Sequence, residues 1–227
     1  MRVPSEDPGV PARATYRHGD LRRALLEAGI ELARAGGPQA VVLREATRRA
    51  GVAPTAAYRH FASRQALLDA VRMAALSALA QAMEGDVAGV RRARISAAYA
   101  RDCLRAVGVA YLRFAQEETG LFRAGFGPPE AVETEQPDSA KAGPSGLNPF
   151  QMLGMALDRM VEAGVLAPAR RPGAEYLAWS AVHGLALLVI DGPLAGMPRK
   201  QTEALGRRLL EMVEKGLGGQ GAGSGTD

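Results

Sequence analysis

Residues 43–61 carry the feature that most limits how this chain can fold: Gly51 and Pro54, three residues apart, stand between two short helical patterns. Gly51 can adopt the left-handed conformation that closes a helix, and Pro54 supplies a helical φ at the first position of the next. Two short helices joined this tightly meet at a steep angle. The segment is therefore predicted to be a helix-turn-helix.

The second of these helices, predicted over residues 54–60, is too short to form a core of its own. Its exposed face offers hydroxyl, methyl, aromatic and cationic groups, which suit phosphates and base edges. These groups belong to Thr55, Ala56, Tyr58, Arg59 and His60.

Positive charge is concentrated in the same part of the chain. Residues 1–78 contain 12 Arg and no Lys against 7 acidic residues, a net charge of +5, whereas the other 149 residues have a net charge of −1. An ordinary solvated arginine face would give the same numbers. The position of the charge on the predicted helix-turn-helix nevertheless favours a nucleic-acid partner.

Cysteine content and hydropathy indicate the cellular compartment of the protein. Cys103 is the only cysteine, which excludes an intramolecular disulfide framework and fits a reducing compartment. No apolar run reaches the ~18 residues of a transmembrane helix, and the first residues lack the apolar core of a secretion signal. We therefore expect a cytoplasmic protein with no membrane partner.

Patterning along the rest of the chain indicates helices, since no stretch alternates with the period of a strand. Residues 1–17 are proline-rich and polar and are predicted to be a flexible arm. A first helix is expected from Asp20, its N-cap, to the stop signal at residues 36–38. Its apolar stripe is expected to pack beneath the helix-turn-helix.

A long helix is expected to follow the helix-turn-helix. Phe61 is predicted to anchor the short second helix in the core, and Ser63 to cap the long helix. The long helix is expected to end near Glu84, because Gly85 and Gly89 break the pattern.

Four further segments follow. A helix is predicted over residues 90–118 and a short apolar segment over residues 121–126. Residues 128–149 contain five of the 14 prolines and are predicted to be a mobile loop. A helix over residues 150–164 carries clustered methionines, which serve either as core packing or as the lining of an adaptable pocket.

The last two predicted helices suggest a dimer. The helix over residues 174–190 is apolar nearly all round, so it is expected to face both its own core and a second molecule. The helix over residues 199–217 has an apolar stripe, and Gly184 and Gly206 would allow close helix approach, so a homodimer with a four-helix contact is predicted. Residues 218–227 are glycine-rich and are predicted to be a disordered tail. The predicted dimer contacts are Leu177, Ala181, Gly184, Leu188, Leu205, Leu209 and Met212.

Neither a metal site nor a catalytic site is predicted, and no cofactor is expected. His18, His60 and His183 are too far apart in sequence to have the spacing of metal ligands. Cys103 has no base nearby in sequence, and no nucleophile elbow, phosphate-binding loop or dinucleotide fingerprint occurs. His183 is either a buried structural residue or a contact to a bound small molecule.

The chain resembles the tetracycline-repressor (TetR/AcrR) family of bacterial transcription regulators over residues 16–83. The motifs that fall at the family's spacing are Leu43-Arg44-Glu45-Ala46, Ala50-Gly51-Val52, Tyr58-Arg59-His60-Phe61 and Ser63-Arg64-Gln65-Ala66-Leu67-Leu68. The carboxy-terminal half resembles the subgroup whose sensor domain carries a Trp-x-x-x-His-Gly signature. Here that signature is Trp179-Ser180-Ala181-Val182-His183-Gly184.

The resemblance implies an all-α homodimer, with about nine helices in each subunit. A three-helix DNA-binding domain over residues 18–78 would be joined by a long helix to a ligand-binding and dimerisation domain over residues 79–217. Phosphate contacts are implied for Tyr58, His60 and Arg64, and major-groove positions for Thr55, Ala56 and Arg59, with Arg44 as a further DNA contact. The residues predicted for the sensor site of an apolar or aromatic effector are Tyr99, Cys103, Phe114, Phe122, Met152, Met155, Trp179 and His183.

The chain departs from the family pattern around the helix-turn-helix. The family often has Ser or Thr where this chain has Val42, and Ser where it has Ala53, so two side-chain caps of about 1 kcal/mol each are missing. Residues 55–57 replace a common Gly-Thr-Leu run, which leaves few polar groups for reading bases. Alanine methyl groups can still contact thymine methyl groups.

The sequence thus predicts a transcription regulator, by family tendency a repressor, that binds a pseudo-palindromic DNA operator and is released by a small effector. The alternative is a dimeric small-molecule-binding or scaffold protein with degenerate DNA binding. Val42 and Ala53 favour that alternative, whereas Arg59 and Arg64 beside Tyr58 oppose it. An enzyme is a more distant interpretation, since nothing in the sequence assembles an acid, a base and a nucleophile.

Overall fold

The structure, a computed structural model, describes residues 18–91, 96–127 and 139–218. Within these ranges the chain forms nine α-helices and no strand, which confirms the predicted all-α class. The helices are α1 (His18–Ala40), α2 (Leu43–Arg49), α3 (Pro54–Ala57), α4 (Arg64–Ala88), α5 (Ala97–Glu117), α6 (Thr119–Gly125), α7 (Pro149–Glu162), α8 (Ala174–Ile190) and α9 (Arg199–Gly218). The predicted arm, residues 128–138 of the predicted loop, and residues 219–227 of the predicted tail lie outside the described residues.

The first four helices share an apolar core. α1 supplies Leu25 and Leu32 and α4 supplies Leu67 and Val71, and each of these side chains is at most 4 % exposed. α1 leaves helical geometry at the predicted stop, where Gly37 has a φ of +68°. This is the left-handed region that favours glycine, so the break follows directly from the sequence.

The turn between α2 and α3 has the geometry that Gly51 predicts. Gly51 has a φ of +66°, and the Val52 amide donates to the Thr47 carbonyl at 3.1 Å, which closes α2. The helix-turn-helix is therefore fixed locally, by one glycine and its neighbours.

α3 is shorter than predicted, because regular helix ends at Ala57 and not at residue 60. The amides of His60 and Phe61 still donate to the Ala57 carbonyl, each at 2.9 Å, so the chain continues in helix-like turns. Phe61 is 2 % exposed and anchors this end of the motif in the core, as predicted.

The caps of α2 and α4 differ as the sequence predicts. Ser63 precedes α4, and its side-chain oxygen accepts a hydrogen bond from the Ala66 amide at 3.1 Å. Val42 precedes α2 in an extended conformation and makes no side-chain cap. α2 therefore begins with amide groups that no capping side chain satisfies.

α4 runs to Ala88, so the prediction that Gly85 ends it is wrong; Gly89 is its C-cap. One glycine costs a helix only about 1 kcal/mol relative to alanine, and the packing of α4 against α1, α5 and α6 outweighs that cost. α4 is also long and apolar enough to span a membrane by composition alone. Its most apolar window is 44 % buried within the fold, as in the central helix of a globular domain.

α5 begins at Ala97, later than the predicted residue 90. Ser96 sets this start, because its side-chain oxygen accepts from the Tyr99 amide at 3.2 Å. The short apolar segment predicted after α5 is the helix α6, which packs against both α1 and α4.

The carboxy-terminal helices pack around α5, and α8 and α9 have their predicted bounds to within one residue. Gly206 was expected to allow close approach between subunits, but it is buried against Leu112 of its own subunit. A β-carbon on Gly206 would lie 3.0 Å from the Leu112 side chain, and one on Gly108 would lie 2.2 Å from Leu210. The two glycines therefore bring α5 and α9 together within one chain.

Candidate functional site

The end of the helix-turn-helix presents a row of accessible polar side chains. Tyr58 is 59 % exposed although it is aromatic. An exposed phenol beside an arginine can donate to phosphate oxygens. Of the other predicted DNA contacts on this surface, Arg44, Thr55 and Arg59 are exposed, and Ala56 and His60 are half-buried.

Arg64, predicted to contact phosphate, also holds the predicted DNA-binding domain together. Its Nε donates to the Val41 carbonyl at 2.8 Å and its Nη2 donates to the Pro38 carbonyl at 2.7 Å. The first turn of α4 is thereby tied to the connection between α1 and α2. These bonds leave Nη1 for the predicted phosphate contact, and no local sequence signal indicates the structural role.

Glu45 of α2 lies against two cations that the sequence analysis did not assign. Its carboxylate contacts Arg48 at 2.6 Å and Arg49 at 3.3 Å. The hydrogen bond from Arg48 is the largest cause that lowers the pKa of Glu45, to about 2. The carboxylate therefore stays charged at neutral pH and partly neutralises both arginines.

An aromatic cluster joins α5, α6 and α8. It consists of Tyr111, Phe122, Phe126, Trp179 and His183. Ring centroids are 4.7 Å apart for Phe122 and Phe126, 5.1 Å for Phe126 and His183, and 5.8 Å for Trp179 and His183. Three predicted sensor residues, Phe122, Trp179 and His183, thus come together in this cluster.

A chain of hydrogen bonds crosses the aromatic cluster. Trp179 Nε1 donates to Tyr111 Oη at 3.2 Å, and the same oxygen lies 2.6 Å from His183 Nδ1. Burial raises the pKa of Tyr111 and lowers the pKa of His183. Both side chains are therefore neutral near pH 7, and the network carries no charge.

Two members of the aromatic cluster, Tyr111 and Phe126, were not predicted. Tyr111 lies one turn after the apolar Val107 in the helix predicted over residues 90–118, so helical periodicity was a usable signal. Phe126 ends the short apolar segment that became α6. The contact of Tyr111 with α8 has no local sequence signal, because Tyr111 is separated from its two partners by 68 and 72 residues.

Tyr99 and Cys103 lie in a second cluster, towards the other end of α5. Arg159 of α7 touches both: its Nη1 is 3.6 Å from Cys103 Sγ, and its guanidinium carbon is 5.7 Å from the Tyr99 ring centroid. At 1.5 Å per residue, Tyr99 stands about 18 Å along the helix from Tyr111. The predicted sensor residues therefore divide into separate groups.

The other predicted sensor residues lie within the interhelical packing. Met152 is 1 % exposed and Phe114 is 8 % exposed, and Met155 is half-buried. Met152 and Met155 both pack in the core cluster, as does Phe114. Their surroundings favour core packing over an adaptable lining for these methionines.

Helix α6 touches both the aromatic cluster and the DNA-binding domain. Gly120 packs so closely on α1 that a β-carbon would lie 2.2 Å from the Ala33 carbonyl oxygen and 2.6 Å from that of Arg34. Arg34 Nε also donates to Glu118, the residue before α6, at 2.9 Å. Because Phe122 of the same helix enters the aromatic cluster, α6 links the two.

Large apolar side chains are exposed on α8 and α9. Leu177 is 68 % exposed, Leu188 is 44 % and Met212 is 62 %. Beside them runs a groove with a volume of about 590 Å³, which is lined by Gly184, Leu187, Leu188, Asp191 and Gly192. Of the remaining predicted dimer contacts, Ala181, Leu205 and Leu209 are half-buried.

Residues 18–91, 96–127 and 139–218 contain no group of three or more His, Cys, Asp or Glu side chains that could hold a metal ion. Cys103, the one cysteine, is buried.

Two family descriptions match the chain. The family "Bacterial regulatory proteins, tetR family" matches residues 25–71, and "Tetracyclin repressor-like, C-terminal domain" matches residues 104–213. The chain belongs to the TetR family. The first match of this TetR-family regulator contains its helix-turn-helix, and the second contains the aromatic cluster and the apolar faces of α8 and α9.

Solved structures share the fold of this TetR-family regulator. A protein with unknown function from Rhodococcus sp. RHA1 is 26% identical with a TM-score of 0.69, covering 91% of this chain and 100% of that one. A TetR-family transcriptional regulator from Pectobacterium atrosepticum is 18% identical with a TM-score of 0.62, covering 90% and 97%. FadR from Bacillus subtilis, in complex with stearoyl-CoA, is 14% identical with a TM-score of 0.62, covering 86% and 98%. No curated protein matches the chain.

Proposed function

We propose that this TetR-family regulator is a homodimeric repressor that binds a pseudo-palindromic operator and releases it when a small effector binds. The observation that carries the proposal is the exposure of Tyr58, Arg59 and Thr55 at the end of a helix-turn-helix. Phenol, guanidinium and hydroxyl groups on that surface suit phosphates and base edges. The net charge of +5 over residues 1–78 draws the same domain towards DNA.

A homodimer is supported by the exposed apolar faces of α8 and α9. Leu177, Leu188 and Met212 would be covered by the same face of a second copy, as in a two-fold symmetric contact. A dimer places two helix-turn-helix units on one side of the DNA, about 34 Å apart if they enter successive major grooves. This geometry requires a pseudo-palindromic operator.

Effector control is supported by the contacts of α6. Phe122 lies in the aromatic cluster, and Gly120 lies against α1 of the DNA-binding domain. A molecule that moves α6 would therefore move the helix-turn-helix as well. A coupling of about 1 to 3 kcal/mol is enough, and DNA must weaken effector binding by the same factor.

The aromatic cluster also supports the finer assignment to the Trp-x-x-x-His-Gly subgroup. Trp179 and His183 share one partner, the Tyr111 hydroxyl, which gives the signature residues a joint structural role. FadR binds stearoyl-CoA within the same fold, which supports a small effector with an apolar part. The proposal includes no catalytic step and no cofactor, and it places the protein in the cytoplasm with its DNA.

DNA binding is tested by fluorescence anisotropy with DNA that flanks the protein's own gene. Arg59→Ala should weaken binding by about 1–3 kcal/mol or relax sequence preference, and Tyr58→Phe should weaken binding to all sequences. The matched control is Arg207→Ala, since Arg207 is exposed on α9 about 140° around that helix from Met212.

The result that contradicts the proposal is salt-insensitive or absent binding by the wild-type protein. Equal effects of Arg59→Ala and Arg207→Ala would remove the helix-turn-helix from the DNA contact. A protein that dimerises without binding DNA would instead be the scaffold-type alternative.

The dimer face is tested by Leu188→Glu, because a carboxylate buried in an apolar contact has no partner there. Sedimentation velocity should show a monomer, and operator affinity should fall together with dimerisation. Val109→Glu is the control, since Val109 is 40 % exposed on α5 and Leu188 is 44 % exposed on α8. A Leu188→Glu protein that remains dimeric would exclude this face.

A further inference from the structure

Phe126 is the ring around which the aromatic cluster is arranged. Its centroid lies 4.7 Å from that of Phe122, 5.1 Å from His183, 5.7 Å from Tyr111 and 6.3 Å from Trp179. These separations are those of favourable stacked and edge contacts. Phe126 itself is only half-buried, and it is the C-cap residue of α6 and not part of its regular helix. The other four rings therefore form a cage, and Phe126 fills it from the end of a helix.

The hydrogen bonds of the cage fix the position of one proton. Indole nitrogen can only donate, so the Tyr111 hydroxyl accepts from Trp179. Tyr111 is 3 % exposed, and its hydroxyl has no other acceptor within the described residues than His183 Nδ1. Tyr111 therefore donates to Nδ1, since the opposite arrangement would bury a hydroxyl hydrogen without a partner.

His183 is consequently a neutral imidazole with its hydrogen on Nε2. Burial keeps the pKa of His183 below its ordinary value, so the second ring nitrogen does not gain a proton near pH 7. Nε2–H has no hydrogen-bond acceptor in the described part of the chain. The cage therefore combines aromatic walls with one hydrogen-bond donor that is not used.

We propose that Phe126 is a built-in plug of the effector site, and that the effector carries an aromatic ring with a neutral hydrogen-bond acceptor. The effector ring replaces the Phe126 ring in the cage, and its acceptor binds His183 Nε2–H. A carbonyl or ether oxygen suits this donor, because a neutral acceptor needs no charged partner among the aromatic walls. This inference rests on the proposed function, whose effector it defines by class.

Displacement of Phe126 acts on the helix that reaches the DNA-binding domain. Phe126 caps α6 through its amide, which donates to the Phe122 carbonyl at 3.0 Å. Gly120, one and a half turns earlier, lies against the α1 carbonyls. The Phe126 ring also packs on Phe122 of α6 at 4.7 Å, so the ligand-free arrangement of α6 is stabilised by the ring that the effector must displace.

The experiment compares full-length wild-type protein with Phe126→Ala in titrations followed by ligand-observed NMR. The probes are acetophenone and ethylbenzene, which have similar shape but differ in the carbonyl acceptor. Phe126→Ala should bind acetophenone at least about tenfold more tightly than wild type, because an apolar space left by truncation accepts benzene-sized ligands. Phe150→Ala is the matched control, since Phe150 packs on Trp179 at 6.0 Å and on Tyr176, outside the ring set of Phe126. Its affinity should equal that of wild type.

The role of Nε2–H is tested in the Phe126→Ala background. This variant should prefer acetophenone to ethylbenzene by about tenfold, the worth of one hydrogen bond. Adding His183→Phe keeps a ring but removes the donor, so the preference should disappear. Equal acetophenone affinity of Phe126→Ala and wild type, or a preference that survives His183→Phe, overturns the proposal.

A measurement on the wild-type protein tests the proposal even if Phe126→Ala does not fold. Trp179 is the only tryptophan, so 5-fluorotryptophan labelling gives a single ¹⁹F resonance at the cage. Millimolar acetophenone should shift this resonance more than ethylbenzene does, and an unchanged resonance overturns the proposal.

Anisotropy with operator DNA on the same samples separates the two hypotheses. DNA binding without selective acetophenone binding refutes only the proposal that Phe126 is a plug. Selective acetophenone binding without DNA binding refutes only the proposal that the protein is a repressor.

Discussion

The DNA-binding domain and the sensor domain place the side chains of their proposed sites in opposite ways. In the first, Tyr58 and Arg59 lie exposed on a scaffold whose core is built by other residues, such as Phe61. In the second, Tyr111 and Phe122 are at most 3 % exposed, and the aromatic cluster is also part of the core. Function and stability can therefore be changed separately at Tyr58 and Arg59, although not at Arg64, whereas they are joined in the sensor domain.

The largest effect is expected where the two domains meet. Gly120→Ala adds a methyl group that would lie 2.2 Å from the Ala33 carbonyl oxygen, and backbone cannot move aside as a side chain can. We expect a loss of about 2–3 kcal/mol in the free energy of unfolding, measured by urea denaturation. DNA affinity should fall with it.

Gly85→Ala is the control for this change. It is also a helical glycine, but a β-carbon at Gly85 meets nothing within 4 Å. The substitution should raise stability by about 0.5–1 kcal/mol. Similar results for both variants would mean that α6 does not pack closely on α1.

Tyr111→Phe tests whether function and stability are joined in the sensor domain. It leaves Trp179 Nε1 and His183 Nδ1 without their shared partner, so we expect a cost of about 1–2 kcal/mol in urea denaturation. The response of DNA binding to acetophenone should weaken too, because His183 would no longer be held with its hydrogen on Nε2. A variant that loses stability but keeps the full response would separate the two properties.

Val42→Thr tests whether stability can be changed alone in the DNA-binding domain. Val42 is 42 % exposed and has the extended backbone of an N-cap, so a threonine hydroxyl can accept from a free amide of α2. The free energy of unfolding should increase by about 1 kcal/mol in urea denaturation. Ser63→Ala, which removes the existing cap of α4, should decrease it by a similar amount. A Val42→Thr protein no more stable than wild type would show that water satisfies these amides equally well.

Glu45→Gln tests the reverse, a change of DNA binding without a change of stability. The pKa of Glu45 is lowered to about 2, so any stability it adds is present above the ordinary carboxyl pKa and lost only as pH falls towards 2. At neutral pH the exposed pair should add little. Arg48, freed from Glu45, and Arg49, left with only the 3.8 Å contact to Glu31, should make the salt dependence of DNA binding steeper, by about 0.9 for each phosphate newly contacted. An unchanged salt slope would place both arginines away from DNA.

Local signals explain why much of the fold could be predicted. Gly51, Gly37 and Ser63 each act within a few residues, so the turn, the break in α1 and the cap of α4 follow from sequence. The prediction that Gly85 ends α4 was wrong because this signal is weak. A glycine disfavours a helix weakly, and the packing of α4 against four other α-helices decided its length.

The candidate site of the sensor domain was harder to predict, because it is made by segments that are distant in sequence. Periodicity placed Trp179 and His183 on α8 and Phe122 in a short apolar segment, but it could not show that they meet. Tyr111 is the residue that joins them, and its partners lie 68 and 72 residues away. The close contact of Gly120 with α1 has no local signal at all, since it depends on the path of another helix.

The hydrogen bonds from Arg64 to Val41 and Pro38 have a consequence for operator spacing. They fasten the first turn of α4 to the connection that precedes α2, so we expect a tilt of α4 to be transmitted to the helix-turn-helix. α4 has 25 residues, about 37 Å at 1.5 Å per residue. A tilt of about 5° at its sensor end displaces the other end by about 3 Å, close to the ~3.4 Å rise of one base pair. In the proposed dimer, a displacement of this size would put one half-site out of register with its groove.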